Sequence, residues 1–138
     1  MTHAAVAVDG ASVGAIDRGL LVLLGFDRDD DRAAVDRMLY RLLTYRIFPD
    51  SQGRMNASVA EVGGGVLLIS QFTLAADTGK GRRPSFTSAM PPAEAQPLYD
   101  YALSELGRLH PQVAAGVFGA DMQVSLVNDG PVTFLLET

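Results

Sequence analysis

The sequence predicts an α+β fold, in which two main helices cover a curved or barrel-like, mainly antiparallel β-sheet. Three observations lead to this prediction. The chain has 138 residues, the length of a single domain, and residues 1–138 contain no internal repeat, low-complexity tract or linker. Only two segments repeat apolar residues at helical spacing. Short apolar segments with the length of strands are more numerous, and turn residues separate them.

The first strands are expected before residue 25. Residues 4–16 alternate loosely between apolar and polar around Asp9-Gly10, a dipeptide typical of hairpin turns. The run Leu20–Leu24 is apolar throughout, as in a strand that is covered on both faces. These segments predict a hairpin followed by a buried strand.

The first helix follows three aspartates. Asp29–Asp31 can cap a helix and complement its dipole, and apolar residues from Val35 to Leu43 recur behind them at helical spacing. Ile47-Phe48 is expected to end this helix, because residues 49–53 have the composition of a turn.

The second half begins with a buried strand, Val66–Phe72, that runs directly into Thr73. Residues 75–92 contain small residues, basic residues and prolines, which predicts a long loop, and such loops inside a domain are usually functional. The second helix is predicted at Ala95–Leu109, with Pro91-Pro92 at its start.

Three closing strands are expected after the second helix, separated by Gly119 and by the turn residues Asn128–Pro131. They are Gln112–Val117, Met122–Val127 and Val132–Leu136.

Composition restricts the class of protein. Apolar residues make up 48% and charged residues 20% of the chain, as in an ordinary globular protein. Cysteine is absent, which excludes disulfides and thiolate metal sites and fits a reducing compartment. Neither a signal peptide nor a membrane-spanning run is found, so we expect a cytoplasmic location and no membrane partner. The net charge of −5 repels bulk nucleic acid, so an RNA contact needs a local positive patch, and no DNA partner is expected.

The available residues exclude several kinds of catalysis. His3 lies near the terminus, and His110, beside Pro111, is expected to be a solvated residue at a helix end. Without cysteine or a placed histidine, an ordinary hydroxyl–imidazole or thiol–imidazole nucleophile is not expected. No cluster has the spacing of zinc ligands, and the residues around Lys80 do not match a phosphate loop. We therefore expect neither a metal nor a cofactor.

The segment Ser70–Thr73 is the first candidate for a functional site. It lies where a buried strand emerges, so alternation would place Ser70 and Phe72 on one side and Gln71 and Thr73 on the other. The alternative is a simple strand end, at which the serine and the threonine bond loose backbone groups.

Two further segments also allow a functional and a purely structural interpretation. Lys80, Arg82 and Arg83 concentrate positive charge on a glycine-bearing loop, which would either contact phosphates or remain solvated. Asn128–Pro131 has the composition of a simple turn, and composition alone does not establish a cis peptide there.

Taken together, these segments resemble the D-aminoacyl-tRNA deacylase family. The order and spacing of the matches cover nearly the whole chain, from Val6 to Thr138, and the series is highly specific although each match alone would be weak. The matching segments are Arg46–Phe48, Gly53–Asn56, Ser70–Leu74, Lys80–Phe86, Phe118–Val124 and Asn128–Thr133.

The resemblance implies a homodimer with its active sites at the interface, and hydrolysis of the ester bond in D-aminoacyl-tRNA. Ser70, Gln71, Phe72 and Thr73 would form the catalytic wall of the pocket that holds the 3′-terminal adenosine and its amino acid. Because an aminoacyl ester is already activated, the reaction mainly needs an oriented water and oxyanion support, which backbone N–H groups around Gln71–Thr73 would supply. The 2′-hydroxyl of the RNA would help to activate the water, while Thr73 positions it.

The same resemblance assigns residues to substrate binding. Phe118 and Met122 match positions that line the adenosine pocket, and Ala89 is also assigned to substrate binding. The three basic residues of the loop would contact tRNA near its acceptor end. The Gly130-Pro131 peptide would be cis and reach into the partner's pocket, where its carbonyls exclude an L side chain. Glycine has no side chain to reject, so glycyl-tRNA is expected as a second substrate.

The start of the chain departs from the family pattern. Family members usually begin with a further short strand, ending in Gln-Arg-Val, before the segment that Thr2–Val6 matches. Met1 stands where that valine would be, so either the protein starts further upstream than Met1 or the family's first strand is missing here. The arginine of that strand helps to hold the Gly-Pro loop in the family, so a less rigid loop is expected.

Overall fold

A computed structural model describes residues 1–138 and shows an α+β domain, as predicted. Its elements in chain order are β1 (His3–Val8), β2 (Ala11–Ile16), β3 (Gly19–Leu24), α1 (Arg32–Thr44), β4 (Phe48–Pro49), β5 (Met55–Ala57), α2 (Val59–Val62), β6 (Gly65–Ser70), a 3₁₀ turn (Phe72–Ala75), α3 (Pro92–Leu109), β7 (Val113–Ala115) and β8 (Gln123–Val127). None of the helices combines the length and the apolar character needed to cross a membrane.

The strands form separate sheets that do not close into a barrel, so the barrel-like form of the predicted curved or barrel-like sheet is not found. One sheet has the order β2-β1-β8 and is antiparallel, a second has the order β3-β6-β7 and is parallel, and β4 pairs with β5. The second sheet is parallel because helices lie in both of its connections, and a helical crossover returns the chain in the same direction. The fold therefore combines an antiparallel sheet, a parallel sheet and a separate antiparallel strand pair.

The predicted hairpin is confirmed. Asp9 and Gly10 join β1 to β2 with φ angles of 51° and 80°. Positive φ at both central residues is what a two-residue turn needs to match the twist of its strands, and aspartate followed by glycine tolerates it.

Helix α1 begins as predicted and ends earlier than predicted. The Asp31 side chain accepts a hydrogen bond from the Ala34 N–H at 2.8 Å and caps the helix. Tyr45 already has an extended backbone, with φ −67° and ψ 132°, so the helix stops at Thr44 and not at Ile47-Phe48. Phe48 instead begins β4.

The main core lies between the parallel sheet and helices α1 and α3. Strand β6 is central to it, because Val66 and Leu68 belong to this core and have no exposed surface, while Leu67 is equally buried in a smaller cluster. The Tyr99 hydroxyl on α3 donates a hydrogen bond to the Leu68 carbonyl at 3.0 Å, which ties the helix to this strand. Burial raises the pKa of Tyr99 to about 12. The strand that leads to Ser70 is therefore held firmly on all sides.

Two expectations about strands were wrong. Leu20–Leu24 is not covered on both faces, because Leu23 on this strand is 44% exposed. Val132–Leu136 forms no strand, because it pairs with no neighbouring strand within the chain. The C-terminal segment instead lies near the end of α1: the Phe134 ring packs edge-to-face on Tyr45, directly after the helix, with ring centroids 5.8 Å apart, and Arg41 donates a hydrogen bond to the Glu137 carbonyl at 2.6 Å.

The expectation that His110 is solvated was also wrong. Its side chain is buried, and Nε2 lies 2.7 Å from the Gly64 carbonyl oxygen. The backbone N–H of His110 bonds the Leu106 carbonyl and completes the last turn of α3. His110 thus joins the end of α3 to the start of β6, which is a structural role.

Candidate active site

The candidate residues lie at one edge of the parallel sheet. In register, Leu24 pairs with Ser70, and Leu68 pairs with Ala115. The carboxyl ends of β3, β6 and β7 therefore meet at the same edge, and the segments that follow them emerge side by side. In open sheets with parallel strands, this edge is where ligands usually bind.

The chain turns immediately after β6, so the predicted alternation of Ser70–Thr73 was wrong. Gln71 has φ −144° and ψ 83°, and residues Phe72–Ala75 form a 3₁₀ turn. The Gln71 N–H makes one last ladder bond, to the Leu24 carbonyl at 2.8 Å. Because β3 ends at Leu24, the next residues have no strand to pair with, and the chain curls instead.

A short hydrogen bond joins two side chains of this turn. The Gln71 Nε2 group donates to Thr73 Oγ1 at 2.6 Å. Thr73 Oγ1 is thus the acceptor, and its own proton is available for another partner. Residues 70–76 contain no ionisable side chain, so no general base stands in the turn to deprotonate Thr73.

Two backbone N–H groups of the turn have no acceptor. The N–H groups of Phe72 and Thr73 make no hydrogen bond, as expected for the first residues of a helical turn. Phe72 and Thr73 are both exposed. The turn therefore presents two adjacent backbone N–H donors beside the Thr73 hydroxyl, whose orientation is set by the side-chain amide of Gln71.

The basic residues lie on a loop closed at its base. Asp77 and Ser85 exchange two backbone hydrogen bonds, of 2.7 and 2.9 Å. Lys80, Arg82 and Arg83 lie within the closed segment, are exposed, and make no ion pair or hydrogen bond. Three unpaired positive charges therefore project from a defined loop of an otherwise acidic chain.

This loop packs against the turn that carries the free amides. The rings of Phe72 and Phe86 are 5.1 Å apart, and the Ser88 hydroxyl donates to the Ala75 carbonyl at 2.5 Å. Ala89, which the resemblance assigns to substrate binding, has only 6% of its surface exposed and pairs with Asp27 in a short bridge. The basic loop and the turn thus form one continuous surface.

Phe118 and Met122 follow β7 and are half-buried. The Phe118 ring packs 5.8 Å from that of Tyr99. Met122 covers the small cluster between the two main sheets, and its Sδ lies 3.4 Å from the Val117 nitrogen. Phe118 therefore lies in the segment that leaves the same sheet edge as Ser70.

Within a single chain, the fold does not bring Gly130 and Pro131 to this turn. They follow β8 in the other sheet and are exposed, and no hydrogen bond joins them to Ser70–Thr73. Their peptide bond is cis, as the resemblance implies. The Asn128 side chain holds this loop by donating to Thr133 Oγ1 at 2.9 Å and accepting from the Val132 N–H at 3.2 Å.

Sequence reasoning missed two residues that bear on the site. Gly25 follows β3 and touches the turn, and Phe86 stacks on Phe72. A glycine directly after an apolar run is a signal for a close backbone approach, but only the fold shows what approaches it.

Known proteins match this chain over nearly its whole length. The family model described as D-Tyr-tRNA(Tyr) deacylase matches residues 1–137. A protein of Stutzerimonas stutzeri named D-aminoacyl-tRNA deacylase is 62% identical over 136 residues, which are 99% of this chain and 94% of the relative. One of the same name from Azotobacter vinelandii is 61% identical over 137 residues, with coverages of 99% and 94%.

Two solved structures are also similar. The c-Myc DNA unwinding element binding protein superposes with a TM-score of 0.95 at 38% identity, covering 99% of this chain and 93% of that one. A probable eukaryotic D-amino acid tRNA deacylase superposes with a TM-score of 0.76, covering 91% and 88% of the two chains. At 20% identity, the second likeness concerns the fold alone.

Proposed function

This chain belongs to the D-Tyr-tRNA(Tyr) deacylase family, and we propose that it hydrolyses the ester bond of D-aminoacyl-tRNA. The products are the free D-amino acid and the tRNA. The observation that carries the proposal is the family match over residues 1–137. The turn at the sheet edge, with its free amides, supplies a chemical rationale.

The two free amides suit the charge that develops during ester hydrolysis. Attack of water on the ester carbonyl places negative charge on the carbonyl oxygen. The N–H groups of Phe72 and Thr73 have no acceptor in the protein, so they are available to bind that oxygen. Preorganised donors of this kind stabilise such a transition state by about 3–4 kcal/mol each.

Thr73 orients the water in this mechanism. With the Gln71 amide donating to Thr73 Oγ1, the threonine hydroxyl donates outward and no base draws its proton away. The 2′-hydroxyl of the terminal ribose, adjacent to the ester, helps to activate the water. Ser70 completes this wall at the end of β6. Neither a metal nor a cofactor takes part.

The tRNA is held by the basic loop and by the segment after β7. Lys80, Arg82 and Arg83 contact phosphates near the acceptor end, while Phe118 and Met122 line the pocket of the terminal adenosine. Ala89 is buried, so it acts by fixing the end of the loop rather than through an exposed side chain. The substrate also places the reaction in the cytoplasm.

Discrimination between D and L substrates requires a second copy of the chain. We propose a homodimer in which Gly130 and Pro131 of each protomer enter the partner's site and exclude L side chains by their carbonyls. In support, β8 and the C-terminal segment expose apolar residues such as Val127 at 47% and Leu135 at 76%. Glycyl-tRNA, including glycine mischarged on the alanine tRNA, passes this filter and is a second substrate.

The decisive assay compares release of labelled tyrosine from D-Tyr-tRNA and L-Tyr-tRNA under identical conditions. We expect rapid release from the D substrate and little from the L substrate, and glycyl-tRNA should also be hydrolysed. An RNA-binding module without chemistry would retain both charged tRNAs without releasing amino acid, and that result would overturn the proposal.

The role of Gly130 has its own test. Gly130 has φ +132°, a conformation that side chains rarely adopt, so Gly130→Ala should distort the loop and impair hydrolysis of the D substrate. Gly53→Ala is the matched control, because Gly53 also has a positive φ of 76° and lies in the β4–β5 turn. Equal activity of the two variants would remove Gly130 from the filter.

A further inference from the structure

Gly25 is the residue that follows β3, and it lies against the candidate catalytic turn. Its φ is not positive, so backbone conformation does not require glycine there. The need is spatial: a Cβ on residue 25 would lie 2.7 Å from the Gln71 carbonyl oxygen and 3.0 Å from Leu74 Cβ. Ordinary contacts between carbon and a carbonyl oxygen are about 3.3–3.6 Å, so the oxygen would have to move by roughly 0.6 Å.

The Gln71 oxygen that such a Cβ would meet belongs to the same peptide group as the Phe72 N–H. A peptide group is planar and rigid, so any displacement of the Gln71 oxygen also displaces or tilts the Phe72 N–H. That N–H is one of the two free amide donors of the turn. A methyl group on residue 25 would therefore act directly on the position of a candidate oxyanion donor.

The preceding peptide is fixed by the neighbouring residue of the same strand. The Gln71 N–H bonds the Leu24 carbonyl at 2.8 Å, so the peptide before Gln71 is anchored by hydrogen bonding. The peptide after Gln71 has its oxygen facing residue 25, where an added Cβ would lie only 2.7 Å from it. The peptide before Gln71 cannot move without breaking its hydrogen bond to Leu24. A Cβ at residue 25 would therefore have to be accommodated by a shift of the Gln71–Phe72 peptide.

We propose that Gly25 is a positioning residue for ester hydrolysis, whose missing side chain allows the Gln71–Phe72 peptide to present the Phe72 N–H to the reacting carbonyl. This role rests on the proposed function. It concerns the chemical step rather than tRNA binding, because the atoms nearest to a Cβ at residue 25 belong to Gln71, Leu74 and Ala75 and not to the basic or adenosine-pocket residues named above.

The test is Gly25→Ala, compared with Gly107→Ala. Gly107 lies in α3, and a Cβ there meets no atom within 4 Å, so the control adds the same methyl group harmlessly. We expect Gly25→Ala to lower kcat for D-Tyr-tRNA by about 10- to 100-fold with KM changed by less than about threefold, because small misplacements of catalytic groups cost rate rather than binding. Gly107→Ala should keep both constants. An unchanged kcat, or a rise in KM alone, would overturn the proposal.

A second variant separates positioning from packing. Gly25→Ala combined with Leu74→Gly removes the contact with Leu74 Cβ but leaves that with the Gln71 oxygen. We expect the double variant to fold, as judged by its melting curve, and still to have a low kcat; recovery of kcat would assign the loss to Leu74 packing. If the wild-type chain itself shows no turnover, the proposed function fails and this role with it. If the wild type is active and Gly25→Ala is equally active, the proposed function stands and only the proposed role of Gly25 is refuted.

Discussion

Replacing Lys80, Arg82 and Arg83 together by alanine tests whether the basic loop binds phosphates. None of the three side chains makes an ion pair or a hydrogen bond, so the triple variant should keep its stability to within about 0.5 kcal/mol. Each phosphate contact contributes about 0.7–0.9 to the slope of log affinity against log salt concentration. Three contacts therefore weaken wild-type binding about 20- to 40-fold between roughly 50 and 200 mM salt, in addition to any other salt dependence.

The assay is the apparent KM for D-Tyr-tRNA, measured across that range of salt. The triple variant should have a raised KM at low salt and a slope smaller by about two to three. Arg37→Ala is the control, because Arg37 is an exposed residue of α1 that also makes no ion pair. If the triple variant keeps the wild-type slope, the loop is merely solvated and the phosphates are bound elsewhere.

Three further predictions concern single side chains. Thr73→Ala should retain measurable turnover, and intact-mass spectrometry should find no aminoacyl ester on the wild-type enzyme; an adduct on Thr73 would show that it attacks the substrate. Wild-type stability should fall by roughly 1–2 kcal/mol between pH 10 and pH 12, because burial raises the pKa of Tyr99 from 10.0 to about 12 and the unfolded chain therefore ionises first; in denaturant melts this fall should be smaller for Tyr99→Phe. His110→Ala should cost about 1–3 kcal/mol of stability through the lost buried hydrogen bond, while His3→Ala costs nothing. Neither substitution, and no treatment with a chelator, should reduce turnover of the folded enzyme by more than a few-fold. A hundredfold loss of turnover in any of these experiments would contradict a mechanism that uses neither histidine nor metal.

Local signals in the sequence were sufficient to predict most of the helices and strands. Asp9-Gly10 predicts its turn because only certain residues tolerate positive φ, and Asp31 predicts the start of α1 because its side chain caps the next turn. Errors arose where partners distant in the sequence decide the outcome. His110 has the sequence context of an exposed helix end, but it is buried and its side chain hydrogen-bonds the carbonyl of Gly64, which lies 46 residues away.

The position of the candidate turn at the end of β6 was easier to predict from the sequence than its conformation. Ser70–Thr73 was identified as a strand end, but its residues favour extended structure, so alternation was expected to continue. It stops because the neighbouring strand ends at Leu24, and the length of a partner strand is a property of the fold. For the same reason, the sequence does not show that Gly25 lies close to Gln71 in the fold.

The parallel register of β3, β6 and β7 separates the parts of this protein that can vary from those that cannot. The buried ladder ends at Leu24, Ser70 and Ala115, and the candidate groups of the sheet-edge site belong to the segments that leave it. A library that varies residues in those segments would therefore explore new acyl or nucleotide specificities while leaving the core sequence intact. Gly25 is the exception that such a library should hold constant, because at that position the scaffold and the reacting surface touch.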